Sequence, residues 1–311
     1  MGKMNQLFVP ALIVSLLPLL VYTQPAKAEK PGVPTGSVTD AQLPAETLVT
    51  RQPPKLNRGR IDGNIRVLTG GSFQINGTAI INGDLYVPGN PAVKTTSNAS
   101  YKAVLPGKGN PEPSNYTIKL NGNSKIGNII THTDPIAFPS VPSVSPGQGT
   151  RDVFLIKGQQ PGNFQTIRNL TLTRWYNLML EVPEGTYGNL VAHGKSGFIL
   201  GRENQDTTYN VQSFELNSRT TVHIRGRVTL NLKNGILLNS KAKMGDPQNP
   251  SNLSVNIENG GARLNSKTEF YGDLTAPSGT LTLNANSRLV GFVVCDQAVL
   301  NSNSQLKRIG Q

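Results

Sequence analysis

The chain has 311 residues and a formal net charge of +12, yet only 15% of its residues are charged and 6% are aromatic. With 32 glycines and 22 prolines, this composition argues against a helical protein and for a turn-rich, all-β one. A single cysteine excludes an intramolecular disulfide, and basic residues that never cluster into a run point to an acidic cell-envelope polymer as partner rather than to nucleic acid.

Residues 1–28 read as a secretory signal peptide. Lys3 supplies the positive start, 7–22 the apolar core, and Ala26-Lys27-Ala28 a small-residue cleavage site. Pro10 and Pro18 interrupt the apolar run, which is short for a membrane span. The mature chain is therefore expected to be exported (periplasmic, extracellular or at the cell surface), with no membrane span. Residues 29–58, rich in Pro, Gly and Thr, read as a flexible Pro-rich arm. The folded domain is expected over 59–311.

The first apolar strands fall in 61–87, with Ile61, Ile65, Val67, Phe73, Ile75, Ile80, Leu85 and Val87 as inward candidates. Residues 88–113, broken by Pro and Gly, read as a long excursion from a corner. After another strand pair in 116–131, the stretch 134–149 is Pro-rich again. Proline cannot sit in a central strand, so this stretch is expected on the outside, with Phe138 and Val141 against a face. Residues 153–200 carry denser strands and the adjacent aromatics Trp175 and Tyr176, which either bury themselves in the solenoid or, if exposed together beside a groove, could stack on a sugar ring.

The most regular part is 214–306. A Leu-Asn step recurs at Asn217, Asn239, Asn265, Asn284 and Asn301, spaced by 22, 26, 19 and 17 residues, and earlier at Asn121 and loosely at Asn76. Each is followed by a buried-type residue such as Met244, Phe270, Leu289 or Leu306. A second phrase, Gly followed by alternating apolar residues, recurs at Gly83, Gly127, Gly188, Gly226, Gly272 and Gly291. Alternation with period two is a strand with one buried face. Asn is expected to take the left-handed conformation at the corner, and Gly to make the bend. Repeats this short cannot each bury a core, so they are expected to stack. The expected fold is all-β: a single-stranded right-handed parallel β-helix, or solenoid, with Pro-rich corner insertions.

Glycoside hydrolysis needs two carboxylates converging on one bond. The outward acids here are sparse: Asp84, Glu215, Glu258, Glu269, Asp273 and Asp296. Asp84 and Asp273 share the slot after the bend Gly, but far apart in the chain. His223, Arg225, Arg227 and Lys233 form a basic group, with His193-Gly194-Lys195 as a second. Neither is accompanied by the acids a calcium-dependent lyase requires, so a basic face is favoured over a catalytic site. The candidate ligand-binding set is Arg225, Arg227, His223, Lys233, Trp175 and Tyr176. No catalytic residue, cofactor or metal site is assigned, since three His and one Cys argue against zinc. Cys295 takes the slot of Ala276 one repeat earlier and reads as a small buried hydrophobe.

Leu264-Asn265-Ser266, then Tyr271-Gly272-Asp273-Leu274-Thr275-Ala276-Pro277, then Leu281-Thr282-Leu283-Asn284-Ala285-Asn286-Ser287 carry a resemblance. Together with the Pro-rich stretch from Asp134, they resemble exported bacterial β-helix domains of unknown function, over 61–309. A looser likeness extends to bactofilin-like polymers and the pectate-lyase-like superfold. The resemblance implies a parallel β-helix, and the superfold does not fix a function. The leading expectation is a non-enzymatic secreted or cell-surface scaffold that binds acidic extracellular polysaccharide. The alternatives are a polysaccharide lyase or glycoside hydrolase, and a self-assembling filament. Ice binding is disfavoured because Thr171, Thr173 and Thr280, Thr282 form no regular array.

Overall fold

The computed structural model describes residues 46–308, all within one compact unit. The expected leader, 1–28, lies outside the described residues. Order among these residues is nearly all β: 28 strands joined in one hydrogen-bonded set, with two three-residue 3-10 turns, Phe164–Thr166 and Pro250–Asn252. The strands pair in parallel, each with a counterpart further along the chain. Among the described residues no helix is long and apolar enough to cross a membrane.

A single file of residues gives the order of the layers. Leu172, Ala192, Leu216, Leu238, Leu264, Leu283 and Leu300 stand in register, one beside the next, and all are fully buried. Burying each leucine contributes about 1.5–3 kcal/mol. The file does not end at Leu300. Its next neighbour is Leu56, followed by Ile75 and Leu120. Two other files cross the same junction, with Thr50 beside Cys295 and Ile61 beside Leu306. The first described strands thus sit on the last ones, in the middle of the stack. From there the chain overshoots to Ala92–Thr95, then returns to lay Thr117–Leu120 between that strand and Phe73–Asn76. The 134–149 stretch leads to the opposite end, where Arg151–Leu155 pairs with Ile167–Leu172.

The expected arm is shorter than 29–58, because Glu46–Thr50 and Lys55–Asn57 are strands with Leu48, Val49 and Leu56 buried. Only three apolar residues in a Pro-rich stretch mark them, and their partners, Val293–Asn301, lie at the other end of the chain. Ile80 is also reassigned. The residue five after each corner Asn faces inward, which after Asn76 is Ile81, 2% exposed. A slip of one residue exchanges the two faces of a strand.

The corners differ from expectation in which residue is strained. The Asn239 carbonyl accepts from Ala242 N–H at 3.1 Å, and the two residues between, Ser240 and Lys241, have φ of 52° and 66°. The same pair of left-handed residues recurs at Ser218/Arg219, Ser266/Lys267, Ala285/Asn286 and Ser302/Asn303. The corner Asn stays out of that region, and its amide is free to reach along the stack. Asn239 donates to Asn217, Asn265 to Asn239, Asn284 to Asn265 and Asn301 to Asn284, at 2.9–3.1 Å. Asn121 likewise donates to Asn76 at 2.8 Å. Left-handed backbone costs about 1–2 kcal/mol per residue without a local partner. The amide bonds, at about 0.5–1.5 kcal/mol each, offset part of that cost.

The bend Gly is required by close approach. A Cβ on Gly291 would lie 1.9 Å from the Gly272 carbonyl oxygen. The Pro-rich stretch lies outside, as expected, with Phe138 and Ile136 against Val49 and Val294. The Arg51 guanidinium stands 4.7 Å from the Phe138 ring centre. Its buried valine is Val144 (2% exposed) and not Val141, which is half-buried. Glu258 decides this, because its carboxylate accepts from Val144 N–H at 2.8 Å and Ser143 hydroxyl at 3.2 Å.

Candidate functional site

The six outward acids are all engaged in holding the fold. Asp84 accepts from Asn128 N–H at 2.7 Å and Asp273 from Phe292 N–H at 2.7 Å, so the slot after the bend Gly ties one layer to the next. Glu215 accepts from the corner amide of Asn217, and Asp296 bonds Gln52 and faces Arg51. The Val144 N–H holds the Glu258 carboxyl below the usual carboxylate range. Burial pushes Glu269 up, but the Tyr271 hydroxyl and Lys243 outweigh it and leave the group lowered. A catalytic acid needs the opposite shift. No group of three or more His, Cys, Asp or Glu that could hold a metal occurs among the described residues. Burial pushes the Cys295 thiol up to about 12, far from a nucleophile's range.

The expected basic group is not brought together. His223 and Arg225 project from the part of Thr221–Leu232 that pairs with 197–201. Gly226, with φ of 63°, then turns the chain, and Arg227 projects from the part that pairs with 206–211. Lys233 lies beyond the end of that strand, near enough to Glu258 to help lower its carboxyl. Arg225 donates to the Glu181 carboxylate at 3.2 Å. The aromatic pair is also split. Trp175 is 63% exposed, but Tyr176 is 4% exposed and packs in the core. With one ring facing solvent and the other inside the core, the two cannot flank one ligand.

The structure assembles a different basic site at the corners. The second left-handed residue of successive corners is Arg219, Lys241, Lys267 and then Asn286. Their backbone N–H groups donate to the next layer, Arg219 to Ser240, Lys241 to Ser266, Lys267 to Ala285 and Asn286 to Ser302, at 2.8–2.9 Å. Lys195 holds the equivalent place one layer before Arg219, two residues after His193. Four exposed cations therefore stand in line at the layer spacing of about 4.8 Å. They line a shallow groove of about 720 Å³ that includes no carboxylate. The exposed hydroxyls of Ser218, Ser240 and Ser266 run beside them. On the adjoining strands charges alternate instead, with Glu269 between Lys243 and Arg288. The signal for this site was the residue two after each corner Asn, which is visible only once the repeats are aligned.

No family model matches the chain, and no curated protein matches it. Among solved structures, an ice binding protein from an Antarctic bacterium, Flavobacteriaceae, aligns over 84% of this chain and 80% of its own, with 13% identity and a TM-score of 0.15. A likeness that low carries no argument about function.

Proposed function

We propose that this chain is an exported, non-enzymatic scaffold that binds an acidic extracellular polymer along its cationic corner. The fold we propose for it is a single right-handed parallel β-helix. Parallel strands joined by crossovers in one sheet connect right-handed in about 98% of cases, which supports the hand. One observation carries the binding role: Lys195, Arg219, Lys241 and Lys267 stand in register with no carboxylate in their groove. Like charges stacked on adjacent strands destabilise a sheet, and a bound polyanion removes that cost. Export is supported by the leader pattern in 1–28.

The test is a paired assay on the purified protein, scoring a panel of acidic and neutral polysaccharides for retention and for new chain ends, with and without calcium. Retention of acidic polymers without new ends is expected. New ends would overturn the non-enzymatic reading, and equal retention of neutral polymers would overturn the electrostatic one.

One observation favours a second reading, end-to-end assembly. The exposed large hydrophobics among the described residues, Val104, Leu105, Phe154, Ile156, Trp175 and Leu178, all lie in or next to strands at the ends of the stack. Strand edges left open there could pair with another copy. Light scattering at rising concentration tests this, and a constant monomer mass would exclude it.

A further inference from the structure

We infer that the cationic groove takes a linear carboxylated polysaccharide, a polyuronate, laid along the stack with a sugar ring against Trp175. This inference rests on the acidic-polymer reading above and names the polymer and its contacts. Trp175 lies in line with the cations. Tyr176 N–H donates to the Thr173 carbonyl at 3.0 Å, closing a four-residue turn like those that begin elsewhere at the corner Asn. His193 N–H donates to the Leu172 carbonyl at 2.9 Å, which sets the 173–176 turn one layer beyond 193–196. A Cβ on Gly194 would come within 2.7 Å of Arg174 Cα, so the two turns are in direct contact. Trp175 thus occupies, one layer out, the place that Lys195 and Arg219 hold in theirs. Its indole is 63% exposed, with the Arg174 guanidinium 4.4 Å from the ring centre.

The groove offers four cations and the Asn286 amide with a parallel file of serine hydroxyls, and the exposed Trp175 ring lies one layer beyond its lining residues. A polyuronate matches each of these. Every sugar brings a carboxylate for a cation, hydroxyls for serine and amide, and a C–H face for the indole. Polyphosphate leaves the indole and the hydroxyls without partners. A neutral polysaccharide leaves four cations unpaired. Single-stranded nucleic acid stacks successive bases on successive aromatics, and this line holds one. Duplex DNA brings a charge about every 1.7 Å of its axis, roughly three per layer, against one cation.

The chain contains one tryptophan, so its emission reports on this end of the groove. The full chain is titrated at low salt with polygalacturonate, its fully methyl-esterified form, polyphosphate and oligothymidylate. Column retention is measured in parallel. Polygalacturonate should change the Trp175 emission and the ester should not. Replacing all four cations (Lys195→Gln, Arg219→Gln, Lys241→Gln, Lys267→Gln) should weaken binding about thirty-fold, the compounded loss of four exposed ion pairs. Trp175→Ala should weaken it several-fold. A control that loses the same charge off the groove (Lys94→Gln, Lys102→Gln, Lys108→Gln, Lys119→Gln) should weaken it less than about three-fold, because salt screens distant charges.

If polygalacturonate is retained with unchanged emission, or both four-site variants weaken alike, the groove assignment falls while acidic-polymer binding stands. If polyphosphate or oligothymidylate binds as tightly with the same emission change, the polysaccharide class is overturned. If no acidic polymer is retained, both readings fall.

Discussion

Replacing Lys241 with glutamine should stabilise the fold while weakening its hold on a polyanion. Lys241 stands between Arg219 and Lys267, and its backbone N–H is bonded to the next layer, so its Cα cannot leave the line. Two unit charges about 4.8 Å apart in water repel by roughly 0.9 kcal/mol. With a Debye length of about 8 Å at physiological salt, each repulsion falls to about half. Two neighbours then give a gain of up to about 1 kcal/mol, reduced as the flexible stems splay apart. Urea unfolding of Lys241→Gln and wild type at physiological salt measures the gain. It should fade at high salt, where the Debye length is about 3 Å. Ser240→Ala, on the same turn, should leave the midpoint unchanged. A destabilised Lys241→Gln, or a gain indifferent to salt, would refute the view that these are unneutralised like charges held in register.

Asn239→Ala removes a bond given to Asn217 and one received from Asn265, and should cost about 2 kcal/mol in the same unfolding assay. Gly279→Ala would place a Cβ 1.5 Å from the Gly260 carbonyl oxygen, so the layers must part; a loss of at least about 1–3 kcal/mol is expected by denaturant titration. Cys295 is fully buried with its thiol raised to about 12, so a thiol reagent at mildly alkaline pH should label the protein only after unfolding. Native labelling at the mixing rate would contradict that burial. Glu258 is held below its usual range by Val144 N–H, so its contribution is complete above the ordinary glutamate value of about 4.3 and is lost as pH falls through the lower folded value. Hydrogen exchange at Val144 should rise relative to neighbouring strand amides over that acid window, and Glu258→Gln should abolish the pH dependence.

The regular layers were legible because their signals are local. Leu283-Asn284 and Leu300-Asn301 sit on adjacent layers because each phrase carries its own strand, corner and inward residue. The two misassigned faces share one cause. Ile80 and Ile81 are both apolar, as are Val141 and Val144, and period alone does not say which one a neighbouring layer will cover. Glu258, over a hundred residues from Val144, made that choice in the second case. The site was misplaced for the opposite reason. His223, Arg225 and Arg227 are close in the chain, but the bend at Gly226 sends them to different faces.

Strand periodicity, the Asn corner and the bend glycine follow from the order of residues alone, since each depends on backbone geometry within a few positions. The stacking order does not. That the described chain begins in the middle of its own stack, with Leu56 on Leu300, depends on pairing between strands more than two hundred residues apart. The line of Lys195, Arg219, Lys241 and Lys267 is a product of that stacking. They lie 22–26 residues apart in the chain and become neighbours only when parallel pairing sets the corners about 4.8 Å apart.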